Sequence, residues 1–164
     1  MKIDDQNWEI IRKIFKDSGK STIFYSIATV NDKGMPHVTP IGSLFLRIDK
    51  TGFYFEEYGS IMKRNLKGKS QVCIMAVNTG RFQLYKSLIT GHSQYPVAVR
   101  IYGTAGEKRE ATGEEMNKFR RLIKPFKWTK GYDLLWKQLR FVRDIHFDEY
   151  EPVRLGNMKS FVDI

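Results

Sequence analysis

Three short stretches carry side chains whose types and spacing could do chemistry. The first is Ser60-Ile61-Met62-Lys63-Arg64-Asn65-Leu66, just after the breaker Gly59. It reads as a short helix from Ser60 to Lys67, with Ser60 as N-cap and Ile61 and Leu66 as apolar contacts. A helix N-terminus with a hydroxyl and nearby cations is a ready phosphate site, because its free N–H groups and its dipole favour negative charge. Ser60, Lys63 and Arg64 can supply those groups; the competing reading of both cations is a solvated helix face. The second stretch is Met35-Pro36-His37-Val38-Thr39-Pro40-Ile41. It has strand character but holds two prolines, which lose ladder hydrogen bonds in a central strand. Pro36 and Pro40 are therefore expected to face an edge, a bulge or a ligand. The third is Cys73 in the apolar run Val72 to Val77, where a lone thiol reads as a small apolar filler rather than a nucleophile.

The three histidines divide. His37 lies in the proline-bearing strand, and two readings stay open for it: contact with a bound group, or packing. His92 reads as an exposed loop residue and His146 as a solvent-facing strand position. Their spacing supports no Ser/His/Asp triad. One cysteine permits no internal disulfide, and no Cys-x-x-Cys spacing suggests a metal. No residue is singled out as catalytic.

The elements that must position these residues follow from periodicity. Asp4 or Asp5 caps a first helix whose Trp8, Ile11, Ile14 and Phe15 form one apolar face, ended by Ser18-Gly19. Ser21 to Val30 alternates as a strand, Asn31 to Gly34 turns, and Met35 to Leu46 returns as a second strand. After the turn Asp49 to Gly52, Phe53 to Glu57 is a third strand, expected in meander order. Gln71 to Val77 reads as a fourth strand buried on both faces. Asn78 to Pro96 is the least readable part, with helical spacing in Phe82, Tyr85, Leu88 and Ile89. Val97 to Gly106 is a fifth strand. A helix opening at Thr112 or Gly113 presents Met116, Phe119 and Ile123 and ends at Pro125. Tyr132, Leu135, Trp136 and Leu139 form a further helical stripe, and Phe141 to Arg154 is a sixth strand. About six strands, three main helices and no βαβ alternation predict a β+α domain: an antiparallel barrel with peripheral helices.

Composition sets the outer limits. The chain of 164 residues suits a single domain over 1–164. It is 41% hydrophobic and 28% charged, an ordinary globular balance. No apolar run approaches the roughly 18 residues of a membrane span, and Met1 to Glu9 is too polar for a signal peptide. The expectation is a cytoplasmic protein without a membrane partner. The net charge of +10 suits polyanions or phosphorylated small molecules. The densest stretch, Lys118 to Lys130, reads as a solvated basic surface, and no nucleic-acid-binding signature accompanies it.

The ordered set Ala28 to Gly42, Gly52-Phe53-Tyr54-Phe55 and Ser60 to Leu66 resembles the FMN-binding split β-barrel superfamily that includes pyridoxamine 5′-phosphate oxidase. That pattern is a strand, a Gly-containing turn, Pro-x-x-x-Pro, a Phe-rich strand, and a Ser-led basic helix ending in Asn-Leu. The resemblance covers Ser21 to Val77 and weakens beyond. It implies a six-stranded split barrel, FMN as cofactor, and a homodimer with FMN sites at the interface. It also implies an oxidoreductase that uses a small-molecule electron donor or acceptor. On this basis His37, Val38, Thr39, Pro40 and Ile41 would line the flavin ring, with Phe55 and Glu56 nearby. Ser60, Lys63 and Arg64 would hold the phosphate. Trp136 is a candidate to cover the flavin from a partner subunit, against a reading as a helix core residue.

Two departures matter. The family often has Ser-Arg-Lys where this chain reads Ser60-Ile61-Met62, so its first cations come at Lys63 and Arg64. The tail after His146 also lacks the Arg and His set that grips pyridoxal phosphate in the oxidase proper, so vitamin B6 oxidation is not the expected reaction. The alternatives are a non-enzymatic binder of FMN or haem, and a basic nucleic-acid-associated protein.

Overall fold

The structure is a computed structural model. It describes residues 1–22, 24–56, 60–77, 85, 89–93, 96–136, 139–153 and 159–160. In chain order the elements are α1 (Asp5–Ser21), β1 (Tyr25–Val30), β2 (Pro36–Ile41), β3 (Phe45–Leu46), β4 (Thr51–Phe55), α2 (Ser60–Gly68), β5 (Gln71–Val77) and β6 (His92–Ser93). They continue with β7 (Ala98–Glu110), α3 (Gly113–Ile123), a 3₁₀ turn (Lys124–Phe126), α4 (Lys130–Leu135), β8 (Phe141–Val153) and β9 (Lys159–Ser160).

The main sheet has seven strands in the order β2-β1-β5-β7-β8-β4-β3, all antiparallel. β6 and β9 form a separate parallel pair. The architecture is the expected β+α split barrel, with one strand more than the six read from the sequence. The extra strand arises because Met35 to Leu46 is not one strand. It divides into β2 at one edge of the sheet and β3 at the other. Both pairings expected of a meander are present, β2 with β1 and β3 with β4, but the division of the second strand places them at opposite edges of the sheet. Only residues 42–44 join the two edges. Four Cα–Cα steps span at most about 14 Å, whereas six inter-strand gaps in a flat sheet would span about 29 Å. The sheet must therefore curl until its edges approach, which is the barrel.

Alternation along the strands divides the apolar side chains into two clusters. The interior cluster takes Ile27, Ile41, Tyr54, Ile74, Val99, Ile101, Ile145 and Phe147, closed by Trp8, Ile11, Ile14 and Phe15 of α1 and by Met62 and Leu66 of α2. The second cluster lies on the other face of β4 and β8, where Phe53, Phe55 and Val142 meet Phe119, Ile123 and Leu139. β5 shows the same alternation, burying Val72, Ile74 and Ala76 only. The two-sided burial expected for it is corrected: Cys73, Met75 and Val77 are half-exposed, and among the described residues no layer covers that face.

Local devices set the ends of the elements. Asp4 caps α1 in a reciprocal box with Asn7. The helix runs past Ser18-Gly19 to Ser21 because Ser18 is buried and donates to the Val77 carbonyl at 2.8 Å. Gly19 is there for space, since a Cβ at that position would strike the Tyr25 hydroxyl. Gly34 turns the β1–β2 hairpin at φ 80°. Thr112 caps α3 in a second box, with Glu115. No described helix is long and apolar enough to cross a membrane.

Candidate functional site

Among the described residues β2 is an edge of the main sheet, and its two prolines sit where an edge tolerates them. Asn31 N–H donates to the Met35 carbonyl at the hairpin. Antiparallel alternation then makes Thr29–His37, Ile27–Thr39 and Tyr25–Ile41 the hydrogen-bonded pairs. The nitrogens of Pro36, Val38 and Pro40 consequently face away from β1, so neither proline costs the ladder a bond. The edge offers a single N–H, at Val38, with carbonyls on either side of it. An acceptor-rich edge of this kind resists pairing with another strand and suits a ligand edge that carries both donors and acceptors.

The side chains of β2 split by period. Val38 and Pro40 are exposed on one face, while His37 and Thr39 are half-buried and Ile41 buried on the other. His37, Thr39 and Ile41 share the face of Ile27 and Thr29, which is where α2 packs. Asn65 of α2 is buried and donates from Nδ2 to Thr29 Oγ1 at 3.0 Å, pinning the helix beside His37. The Asn65 Oδ1 has no partner among the described residues. α2 is amphipathic with Met62, Asn65 and Leu66 inward. Lys63 is half-buried and Arg64 exposed. Ile61, expected as an apolar contact, is instead 42% exposed, and Met62 takes that role at 2%. The residue standing where the family often has a lysine is thus a core residue of the barrel.

Ser43 closes the site from the other side. Its hydroxyl accepts from Phe55 N–H at 3.1 Å and donates to the Phe55 carbonyl at 3.5 Å, holding the end of β4 against the segment that follows β2. The chain leaves β4 at Glu56 and begins α2 four residues later. The structure therefore groups His37, Thr39, Ile41, the β2 edge and α2 with Lys63 and Arg64.

Other expected residues point elsewhere. Alternation places the Phe55 side chain in the second cluster, its ring centroid 4.5 Å from that of Phe119. Glu56 faces the opposite way. Its buried carboxylate accepts from Arg143 Nε and Nη2 at 2.9 Å each and from the Tyr54 hydroxyl at 3.0 Å. Burial and the neighbouring Glu56 charge push the Tyr54 hydroxyl well above the usual tyrosine range. Trp136 is half-buried against Phe126 and Tyr132, packed on the second cluster. The side chain of Ser60 lies outside the described residues, as do most of the helical spacing from Phe82 to Leu88 and the strand end at Arg154.

A second polar assembly was not foreseen. Arg47, Arg109, Glu115 and Asp144 form a quartet on the outside of β4, β7 and β8, beside a cavity of about 420 Å³ that also includes Asp49, Thr51 and His146. Arg109 bridges both carboxylates, meeting Glu115 at 2.8 Å and Asp144 at 2.6 Å. Hydrogen bonds from Arg109 lower the Glu115 carboxyl to about 2. For Asp144, burial opposes ionisation, but bonds from Arg109 and Arg47 still hold its carboxyl below the usual range. Two positive and two negative groups balance, so the quartet fastens α3 to the sheet. No periodicity links residues so far apart in sequence, which is why the sequence does not reveal it.

A curled antiparallel sheet closed by residues 42–44, with α2 laid beside its free edge, defines the split β-barrel class. Residues 13–151 match the family model described as pyridoxamine 5′-phosphate oxidase, and the chain belongs to that family. A search of curated proteins finds no match. Among solved structures, the chain is similar to an FMN-binding protein from Syntrophomonas wolfei subsp. wolfei, with 17% identity, 93% of this chain and 95% of that one covered, and TM-score 0.59. It is similar to HutZ, the heme storage protein from Vibrio cholerae, with 15% identity, coverage of 88% and 92%, and TM-score 0.57. It is also similar to HupZ of Group A Streptococcus, with 18% identity, coverage of 90% and 98%, and TM-score 0.55. At such identities these likenesses speak for the fold alone.

Proposed function

We propose that this chain binds FMN between the β2 edge and α2 and acts as an FMN-dependent oxidoreductase on a small molecule. The observation that carries the reading is the pinning of α2 beside β2 through Asn65 and Thr29. It puts a cation-bearing helix next to a flat strand edge, which suits a planar ring with an anionic tail. The donor set fits such a group. The Val38 N–H and the flanking carbonyls match the mixed donors and acceptors of an isoalloxazine edge, and His37 and Thr39 lie half-exposed on the α2 side. With Met62 committed to the core, Lys63 and Arg64 are the cations of α2 left near the phosphate end. FMN would supply hydride or electron transfer there; the chain would bind it, orient it and tune its charge.

The reading extends to a homodimer in which each site takes residues from both copies, and to a cytoplasmic location. The test is the absorbance spectrum of the purified protein and quenching of FMN fluorescence on titration. Flavin bands, or quenching that saturates, are expected. The double variant Lys63→Ala/Arg64→Ala should weaken FMN while leaving riboflavin, which lacks the phosphate, nearly unchanged. A colourless protein that leaves FMN fluorescence intact would sink the proposal, and a Soret band on haem addition without flavin binding would replace it with a haem-binding role.

A further inference from the structure

The segment from α3 to α4 combines exposed apolar and cationic side chains on a rigid mount. Its inner face is anchored by Phe119 and Ile123 in the second cluster and by the ion pairs of Glu115. Its outer face carries Trp128, 87% exposed, with Leu122 at 49%, Leu135 at 48% and Phe126 at 41%. Arg120, Arg121, Lys124, Lys127 and Lys130 are interspersed with them, all exposed. Among the described residues none of these five cations pairs with a carboxylate, whereas Lys118 pairs with Glu114 at 3.1 Å. The sequence suggests a solvated basic surface here; the fold leaves large apolar side chains exposed among its cations.

We infer that this face docks on an anionic lipid bilayer as a peripheral contact. Three occupants compete on physical grounds. A second copy whose own segment lay against this one, on a two-fold axis, would set the five cations against the same five, in a chain already carrying a net charge of +10. A nucleic acid would satisfy the cations and could stack on Trp128, but it gives the leucines nothing, because such interfaces are polar and charged. An anionic bilayer satisfies both sets at once. Its headgroups meet the cations, the indole sits at headgroup level, and leucine and phenylalanine reach the acyl boundary. Such a contact needs no spanning helix, so it is compatible with the absence of one among the described residues.

The experiment is co-sedimentation of the full chain with phosphatidylcholine vesicles, with and without phosphatidylglycerol. Binding to the anionic vesicles, weakened by added salt and absent from neutral ones, is expected. Lys124→Gln/Lys127→Gln should weaken it about thirtyfold, and Trp128→Ser roughly tenfold. All three positions are exposed, and an unchanged melting temperature would show that the variants fold. The readout is separate from flavin binding, so either proposal can fail alone. Failure to bind anionic vesicles, or equal binding to neutral ones, overturns the inference. A molar mass by light scattering that halves in Trp128→Ser would assign the face to a second copy and overturn it too. So would retention of single-stranded DNA without vesicle binding.

Discussion

Substituting Glu56 with Gln isolates the most deeply buried charge pair among the described residues. The side chain of Glu56 is fully buried and that of Arg143 is 7% exposed. Gln keeps the shape but leaves the guanidinium facing a neutral amide, with the Gly106 carbonyl as a hydrogen-bond partner and the Glu107 charge acting from farther off. Removing one member of a buried pair costs about 3–5 kcal/mol, because the remaining charge is uncompensated. A domain of this size melts lower by about 2–4 °C per kcal/mol, so the melting temperature should fall by about 6–20 °C. Urea unfolding with an unchanged m-value would show that the loss is stability and not compactness. The double variant Glu56→Leu/Arg143→Met should recover most of the loss, since removing both charges removes both desolvation costs. A Glu56→Gln protein melting within about 2 °C of the parent would refute the reasoning and show that water reaches the pair. Glu56 directly follows β4, beside the proposed site, so the same variant should also weaken FMN.

Three further outcomes follow from the same structure. Glu115 is held at about 2 against an ordinary 4.5, so its contribution to stability is complete above 4.5 and disappears as pH falls toward 2; Glu115→Gln should flatten the stability profile in that window, read by thermal melts across pH. Met62→Lys places an ammonium at a position 2% exposed, so it should lower stability by several kcal/mol and not tighten FMN; tighter flavin binding in a stably folded Met62→Lys protein would show that α2 can rotate. Asn65→Ala loses the bond to Thr29 and leaves that buried hydroxyl unsatisfied, at a cost of about 1–3 kcal/mol in urea unfolding and with weaker FMN; an unchanged FMN affinity would remove α2 from the binding site.

The amphipathic elements were readable because local period and burial agree. The α1 stripe of Trp8, Ile11, Ile14 and Phe15 is buried as its spacing requires, and Phe119 and Ile123 of α3 likewise. The prolines of β2 pointed to an edge, a bulge or a ligand because their missing N–H groups can be tolerated in few other places, and the sheet order makes it an edge. Helix ends were less legible: α1 continues past Gly19 for tertiary reasons, the bond from Ser18 to Val77 and the room taken by Tyr25.

Facing was decided by the fold. The sequence groups Phe55 with Glu56, yet a strand of period two sends them to opposite faces, and only the sheet order says what each face meets. The Met35 to Leu46 stretch looks continuous, because a chain crossing from one barrel edge to the other keeps an extended, apolar pattern throughout. Met62 for lysine is visible as a departure, but its commitment to the core depends on how α2 sits over β1. The Arg47–Arg109–Glu115–Asp144 quartet, spread over almost 100 positions, needs three strands and a helix to meet. By itself the sequence determined the class of the fold and its family pattern, and it narrowed the β2 prolines to an edge, a bulge or a ligand, because these rest on local period and on proline chemistry. Tertiary structure alone decided which side chains share a face with α2, because that depends on strand order and closure, to which residues close in sequence contribute nothing.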